Sequence, residues 1–175
     1  MEIFKAQYNF ATLYNEGKKT EKNLEKAIYW YQKAATNENI EYEFAKDLKN
    51  YAQSFLALLY YSEKGKEKNL EKAFYWFKKA AENGNDLAMY LLARCYRNGE
   101  GTEINLEESF YWSQKAVENG NELAMNDLVI CYRNGKGIKK DLEKAFYWNQ
   151  KAKEKCENYR FDKLCKKCKQ LCIDF

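Results

Sequence analysis

The sequence predicts an all-α fold, an α-solenoid of stacked helix-turn-helix units, on three observations. First, the string KAxYW or a close variant recurs at Lys26–Trp30, Lys72–Trp76, Glu108–Trp112 and Lys144–Trp148. Second, every tryptophan lies in this string, with spacings of 46, 36 and 36 residues, and a fixed period of this size marks a repeat array. Third, each string follows a second periodic segment after a glycine-bearing turn. A unit this short cannot bury its own apolar face, so neighbouring units must close one shared core.

The first helix of each unit is expected to begin at Ala6, Ala52, Ala88 and Ala124. Four residues on stand Phe10, Leu56, Leu92 and Leu128, and eight on a tyrosine every time: Tyr14, Tyr60, Tyr96 and Tyr132. The i, i+4, i+8 spacing makes one helix face apolar and predicts a neighbour over it. Gly17, Gly65, Gly99 with Gly101, and Gly135 with Gly137 follow, where the chain must leave the helix.

The second helix starts at Asn23, Asn69, Asn105 or Asp141, side chains that can accept the orphan amide hydrogens of a first turn. Glu25, Glu71, Glu107 and Glu143 suit the positive end of the dipole. Leu24, Ala27, Ile28, Tyr31, Ala34 and Ala35 line one side at helical spacing, and the alanines allow close approach. Gly84 and Gly120 end the second and third units.

The wider spacing before the second unit comes from residues 40–51, which contain no Gly or Pro. Phe44, Leu48, Tyr51, Phe55, Leu56 and Leu59 keep helical spacing through it, so one long helix over about 40–62 is expected rather than a surface loop. At the far end, Leu164, Cys168, Leu171, Cys172 and Phe175 again form a stripe and predict a C-terminal capping helix in 157–175. The expected organisation is a single solenoid domain over 1–175, with repeats at about 6–39, 52–87, 88–123 and 124–156, the extension 40–51 and the cap.

Composition fits an ordered chain: 46% hydrophobic and 17% aromatic content is ample for a core. No apolar run reaches the ~18–20 residues of a membrane span, and the first residues lack a signal pattern. A soluble, cytoplasmic protein is expected, with its six cysteines as thiols. The net charge of +4 is concentrated in residues 139–175, where eleven Lys/Arg face six Asp/Glu. That bias reads as a solvated helix face more readily than as a nucleic-acid site. The absence of histidine removes the usual near-neutral acid/base and the commonest metal ligand.

Ala88-x3-Leu92-x3-Tyr96-x2-Gly99-x-Gly101, followed by Asn105, Trp112, Lys115 and Ala116, resembles the Sel1-like repeat (SLR), a relative of the tetratricopeptide repeat (TPR). The fourth unit matches as well; the second has Glu63, and the first Lys19, where a glycine belongs. Ala11, Ala57, Ala93 and Val129 occupy the place after the Leu where the family often has glycine. The resemblance implies a right-handed superhelix that serves as an adaptor or scaffold, and it implies no catalytic residue.

Two sets of side chains are candidates for partner binding. On the first helices, positions facing away from the core stripe differ between units: Tyr8, Asn9 and Thr12; Ser54, Phe55 and Leu58; Tyr90, Leu91 and Arg94; Asn126, Asp127 and Ile130. Variation on one face reads as specificity or as drift on a solvated surface. On the second helices, Tyr29, Tyr75, Tyr111 and Tyr147 point well away from the alanine stripe and form a ladder that either binds or packs. The adjacent Trp30, Trp76, Trp112 and Trp148 read as inter-helix packing.

Cys165 and Cys168, with Cys156 and Cys172, invite a metal reading, but i, i+3, i+7 spacing on one helix suits small apolar residues better than a tetrahedral site. Cys95 and Cys131 are expected as interior thiols. No cofactor or metal is expected. There is no phosphate loop and no serine or cysteine beside a histidine, so the chain is read as non-enzymatic. The expected function is a protein-interaction module whose first helices, on the concave face, hold a peptide or protein surface; the alternative is a self-associating architectural unit without a separate ligand.

Overall fold

A computed structural model describes residues 2–17, 20–37, 43–62 and 69–158. Among them are eight α-helices and no strand: α1 Glu2–Glu16, α2 Leu24–Ala35, α3 Glu43–Tyr61, α4 Leu70–Glu82, α5 Asp86–Asn98, α6 Leu106–Glu118, α7 Leu123–Asn134 and α8 Leu142–Asn158. Each helix packs against the next in sequence. The result is an all-α solenoid of four hairpins, α1/α2 through α7/α8.

The predicted caps are in place. Asn23, Asn69 and Asn105 accept the amide hydrogens of Lys26, Lys72 and Glu108 at 2.9–3.0 Å, and Asp141 accepts that of Lys144 at 3.0 Å. The amides of the same four residues donate to the carbonyls of Tyr14, Tyr60, Tyr96 and Tyr132 at 2.9–3.0 Å. Each recurring tyrosine therefore closes its turn through the main chain as well as contributing a ring. Asn85 and Asn121, which sequence reasoning passed over, cap the next first helices by accepting from Ala88 and Ala124 at 2.8 and 3.2 Å.

Helix starts differ from the expected Ala-led register. α1 begins at Glu2 rather than Ala6, and α5 and α7 begin just before Ala88 and Ala124. The extension before the second unit does continue the helix, as α3 runs unbroken from Glu43 to Tyr61. Residues 40–42 and the expected cap beyond Asn158 lie outside the described residues.

Ala27, Ala73 and Ala145, with Tyr31, Phe77, Ser113 and Asn149, are buried on the inner side of the second helices. The first-helix stripe seats on the preceding unit: Tyr96 meets Phe74 edge-on at 5.2 Å, and Tyr132 meets Phe110 at 5.4 Å. This corrects the reading of the first unit. Phe10 is 47% exposed, unlike Leu56, Leu92 and Leu128 at the same position, and leans on Trp30 of its own unit at 5.3 Å. At the other end Phe146 has no such tyrosine among the described residues and is 57% exposed.

The second glycine of the third and fourth turns has a separate task. Gly101 and Gly137 have φ of 75° and 74°, and each lies so close to the carbonyl of Leu70 or Leu106 that a side chain could not be accommodated. Both leucines open the second helix of the preceding unit. Unit-to-unit spacing is thus set by backbone against backbone.

Candidate interaction surfaces

The variable first-helix positions do not form one uniformly exposed face. Asn9 is exposed, and Tyr8 and Thr12 are half-buried. Tyr8 meets Tyr31 edge-on at 5.9 Å, and the Thr12 hydroxyl donates to the Tyr8 carbonyl at 3.1 Å. Phe55 remains 38% exposed although it stacks on Tyr31 at 5.7 Å and 15°. Leu58, Tyr90, Arg94, Asn126 and Ile130 are half-buried.

Three candidates are corrected by the packing, because Ser54, Leu91 and Asp127 are buried. The long helix α3 turns Ser54 inward, where its hydroxyl donates to the Asn50 carbonyl at 3.0 Å. Leu91 belongs to the core. Asp127 is held by Arg97, whose guanidinium donates to it at 2.6 Å across α5 and α7. Sequence reasoning missed Arg97 because it follows the recurring tyrosine instead of facing away from the stripe. Tyr61 stands at the same place in the second unit, and its hydroxyl donates to Glu100 at 2.8 Å.

Arg94 lies at the centre of this polar region, with its guanidinium carbon 6.0 Å from the Tyr90 ring centroid. Burial works against its charge, but Tyr61, Tyr90, Glu100 and Asp127 around it more than offset that and hold its pKa above the usual arginine value. The Tyr61 hydroxyl is pushed up to about 12 by burial and by its bond to Glu100. The region therefore offers a cation held among Tyr61, Tyr90, Glu100 and Asp127, while Phe55, Leu58 and Ile130 keep accessible apolar surface elsewhere on the first helices.

The second helices present the other surface. Tyr29, Tyr75, Tyr111 and Tyr147 are 49–52% exposed, each edge-on to the following tryptophan with ring centroids 5.0–5.3 Å apart. Lys33, Lys79 and Lys151 lie over the rings of Tyr29, Tyr75 and Tyr147 at 5.7–6.0 Å. Of the tryptophans only Trp76 is buried; the other three are half-buried, and the Trp112 ring nitrogen donates to Glu108 at 3.1 Å.

Cys95 and Cys131 are buried thiols, pushed up to about 12 and about 11, in each case first by burial. The side chains of Cys156, Cys165, Cys168 and Cys172 lie outside the described residues. Among the described residues no group of three or more acidic or cysteine side chains converges as a metal site would require. A shallow hollow beside Asn69, Leu70 and Gly101 is lined by Glu71, Thr102 and Glu103. No helix among the described residues is long and apolar enough to cross a membrane.

The unit that emerges, with its capped second helix and its glycine set against the preceding leucine carbonyl, matches a known repeat over residues 4–39, 50–85, 86–121 and 122–155. The chain belongs to the Sel1 repeat family. Sel1 repeats generally mediate protein–protein interactions and are generally non-enzymatic scaffolds. Among solved structures, a Sel1 repeat protein from Oxalobacter formigenes is 33% identical with a TM-score of 0.75, and the match covers 87% of this chain and 58% of that one. The protective antigen c5321 of uropathogenic Escherichia coli, which displays an SLR fold, is 29% identical with a TM-score of 0.76, over 87% of this chain and 30% of that one. Helicobacter pylori cysteine rich protein B is 24% identical over 79% of this chain and 92% of that one; its TM-score of 0.54 speaks for the fold alone. The Sel1 array of this chain thus spans less than two thirds of the first two proteins. No curated protein gives a significant match.

Proposed function

We propose that the chain is a non-enzymatic adaptor or scaffold module that holds a peptide segment or protein surface on the concave face made by α1, α3, α5 and α7. The observation that carries this reading is a contrast between two kinds of position. The side chains that seal unit to unit recur almost unchanged, whereas those still accessible on the first helices differ: Asn9, Phe55, Arg94, Asn126 and Ile130. Apolar edges and one oriented cation on the same row of helices suit a segment that inserts an aliphatic or aromatic side chain and offers a carbonyl or carboxylate to Arg94. We assign the protein to the cytoplasm and read its four repeats as one domain.

Affinity capture with wild type, Arg94→Glu and Phe55→Ala, quantified by mass spectrometry, tests the reading. Both variants should lose the same bound proteins while keeping the wild-type melting temperature within a few degrees. An unchanged set of captured proteins in both variants overturns it.

A further inference from the structure

The second-helix face carries an order that the adaptor reading does not use. Each exposed tyrosine has a glutamate four residues before it and a lysine four residues after it, as in Glu71-Tyr75-Lys79 and Glu107-Tyr111-Lys115. Four residues of helix rise about 6 Å and return to nearly the same side, so the three side chains lie in line along each helix. Stacked through the solenoid, they form three bands across the array: an acidic row, a tyrosine row and a basic row. Glu71, Tyr75, Lys79, Glu107 and Tyr111 are exposed, and the Lys115 side chain is 42% exposed.

We propose that this face binds a second copy of the chain. The axis is a two-fold running along the array beneath the tyrosine row. Rotation about it lays the second helices of the two copies antiparallel and each unit over its own counterpart. The acidic row of one copy then faces the basic row of the other on both sides of a shared tyrosine seam. A two-fold axis along the helices would instead set acid on acid, so the band order selects one dimer. Tyrosine suits the seam, being large, rigid and able to keep its hydroxyl hydrated. Lys79 over the Tyr75 ring is already held on this face, and the exposed pair Lys115–Glu118, at 2.9 Å, can exchange one carboxylate for another at little cost. Because the first helices stay outside the seam, such a dimer displays two grooves and acts as a bivalent adaptor, but the inference stands whether or not those grooves bind a partner.

The test is a charge exchange read by light scattering after size exclusion and by sedimentation velocity across a concentration series. Wild type should dimerise. Lys79→Glu/Lys115→Glu sets acid on acid, Glu71→Lys/Glu107→Lys sets base on base, and each should raise the dimer dissociation constant about a hundredfold or more. An equimolar mixture of the two variants should recover dimer, which also shows that both are folded. A wild type that stays monomeric throughout overturns the proposal. So does dimerisation that neither exchange weakens, or a mixture that fails to associate while both variants keep wild-type circular dichroism.

Discussion

Gly137 lies directly against the carbonyl oxygen of Leu106, so the turn of the fourth unit rests on the first residue of the second helix of the third. An alanine there meets a backbone atom that cannot rotate away. Gly135, two residues earlier, has a similar φ of 67°, but a Cβ on it would find its nearest neighbour, the Lys140 amide nitrogen, 3.4 Å away. Gly135→Ala should therefore cost about 1–2 kcal/mol, the left-handed backbone penalty alone. Gly137→Ala should cost clearly more, because units three and four must also move apart. Urea unfolding of the two variants in parallel checks the order.

The four tryptophans stand in one motif but not in one environment. Trp76 is buried, whereas the half-buried Trp112 keeps its ring nitrogen on Glu108 of its own helix. Trp76→Ala should cost about 3–5 kcal/mol, the range for deleting a large core side chain. Trp112→Ala should cost less than Trp76→Ala, and thermal or chemical denaturation of the pair decides the point.

Arg97 and Asp127 join the first helices of the third and fourth units at 2.6 Å, with the carboxylate side chain nearly inaccessible. Asp127→Ala strands the guanidinium and should cost about 2 kcal/mol. That lies below the range for a fully buried pair because Arg97 is still partly solvated. Asp127→Asn keeps an acceptor and should cost less. The two unfolding midpoints, compared with that of Arg97→Ala, report the coupling across α5 and α7.

Alkaline pH should destabilise the fold. Burial pushes the Cys95 thiol and the Tyr31 and Tyr61 hydroxyls up to about 12 and the Cys131 thiol up to about 11. In the unfolded chain, thiols ionise near ~8.5 and phenols near ~10. As pH rises the unfolded state therefore loses protons first and the folded state holds more, so stability is intact at neutral pH and falls above about pH 9. The urea midpoint should be lower at pH 10 than at pH 8. At pH 8 Cys95 and Cys131 should resist alkylation in the folded protein and react once it is unfolded, as peptide mapping after iodoacetamide would show.

The repeat was legible because its parts are local. Asn23, Asn69 and Asn105 cap whatever helix follows them, and an alanine stripe recurs at 3.6-residue spacing in any surroundings. The extension over 43–51 was readable as helix for the same reason. The candidate face was only half legible. Facing away from a helix's own stripe does not establish exposure, since Ser54, Leu91 and Asp127 sit at such positions and are covered by neighbouring units. Arg97 and Tyr61 could have been found by asking which position after the recurring tyrosine carries a polar group long enough to reach the next unit.

By itself the sequence determined that this protein is a row of helical hairpins, where the second helix of each unit starts, and which residues repeat, because caps, glycine turns and apolar periodicity act within a few residues along the chain. Tertiary structure alone decided which faces the neighbours cover. It left Phe10 exposed where Leu56, Leu92 and Leu128 are covered, buried Asp127 beneath its ion pair, and placed Gly101 and Gly137 against carbonyls more than thirty residues earlier. Those outcomes depend on the distance and angle between successive units, and that geometry arises only when the units pack.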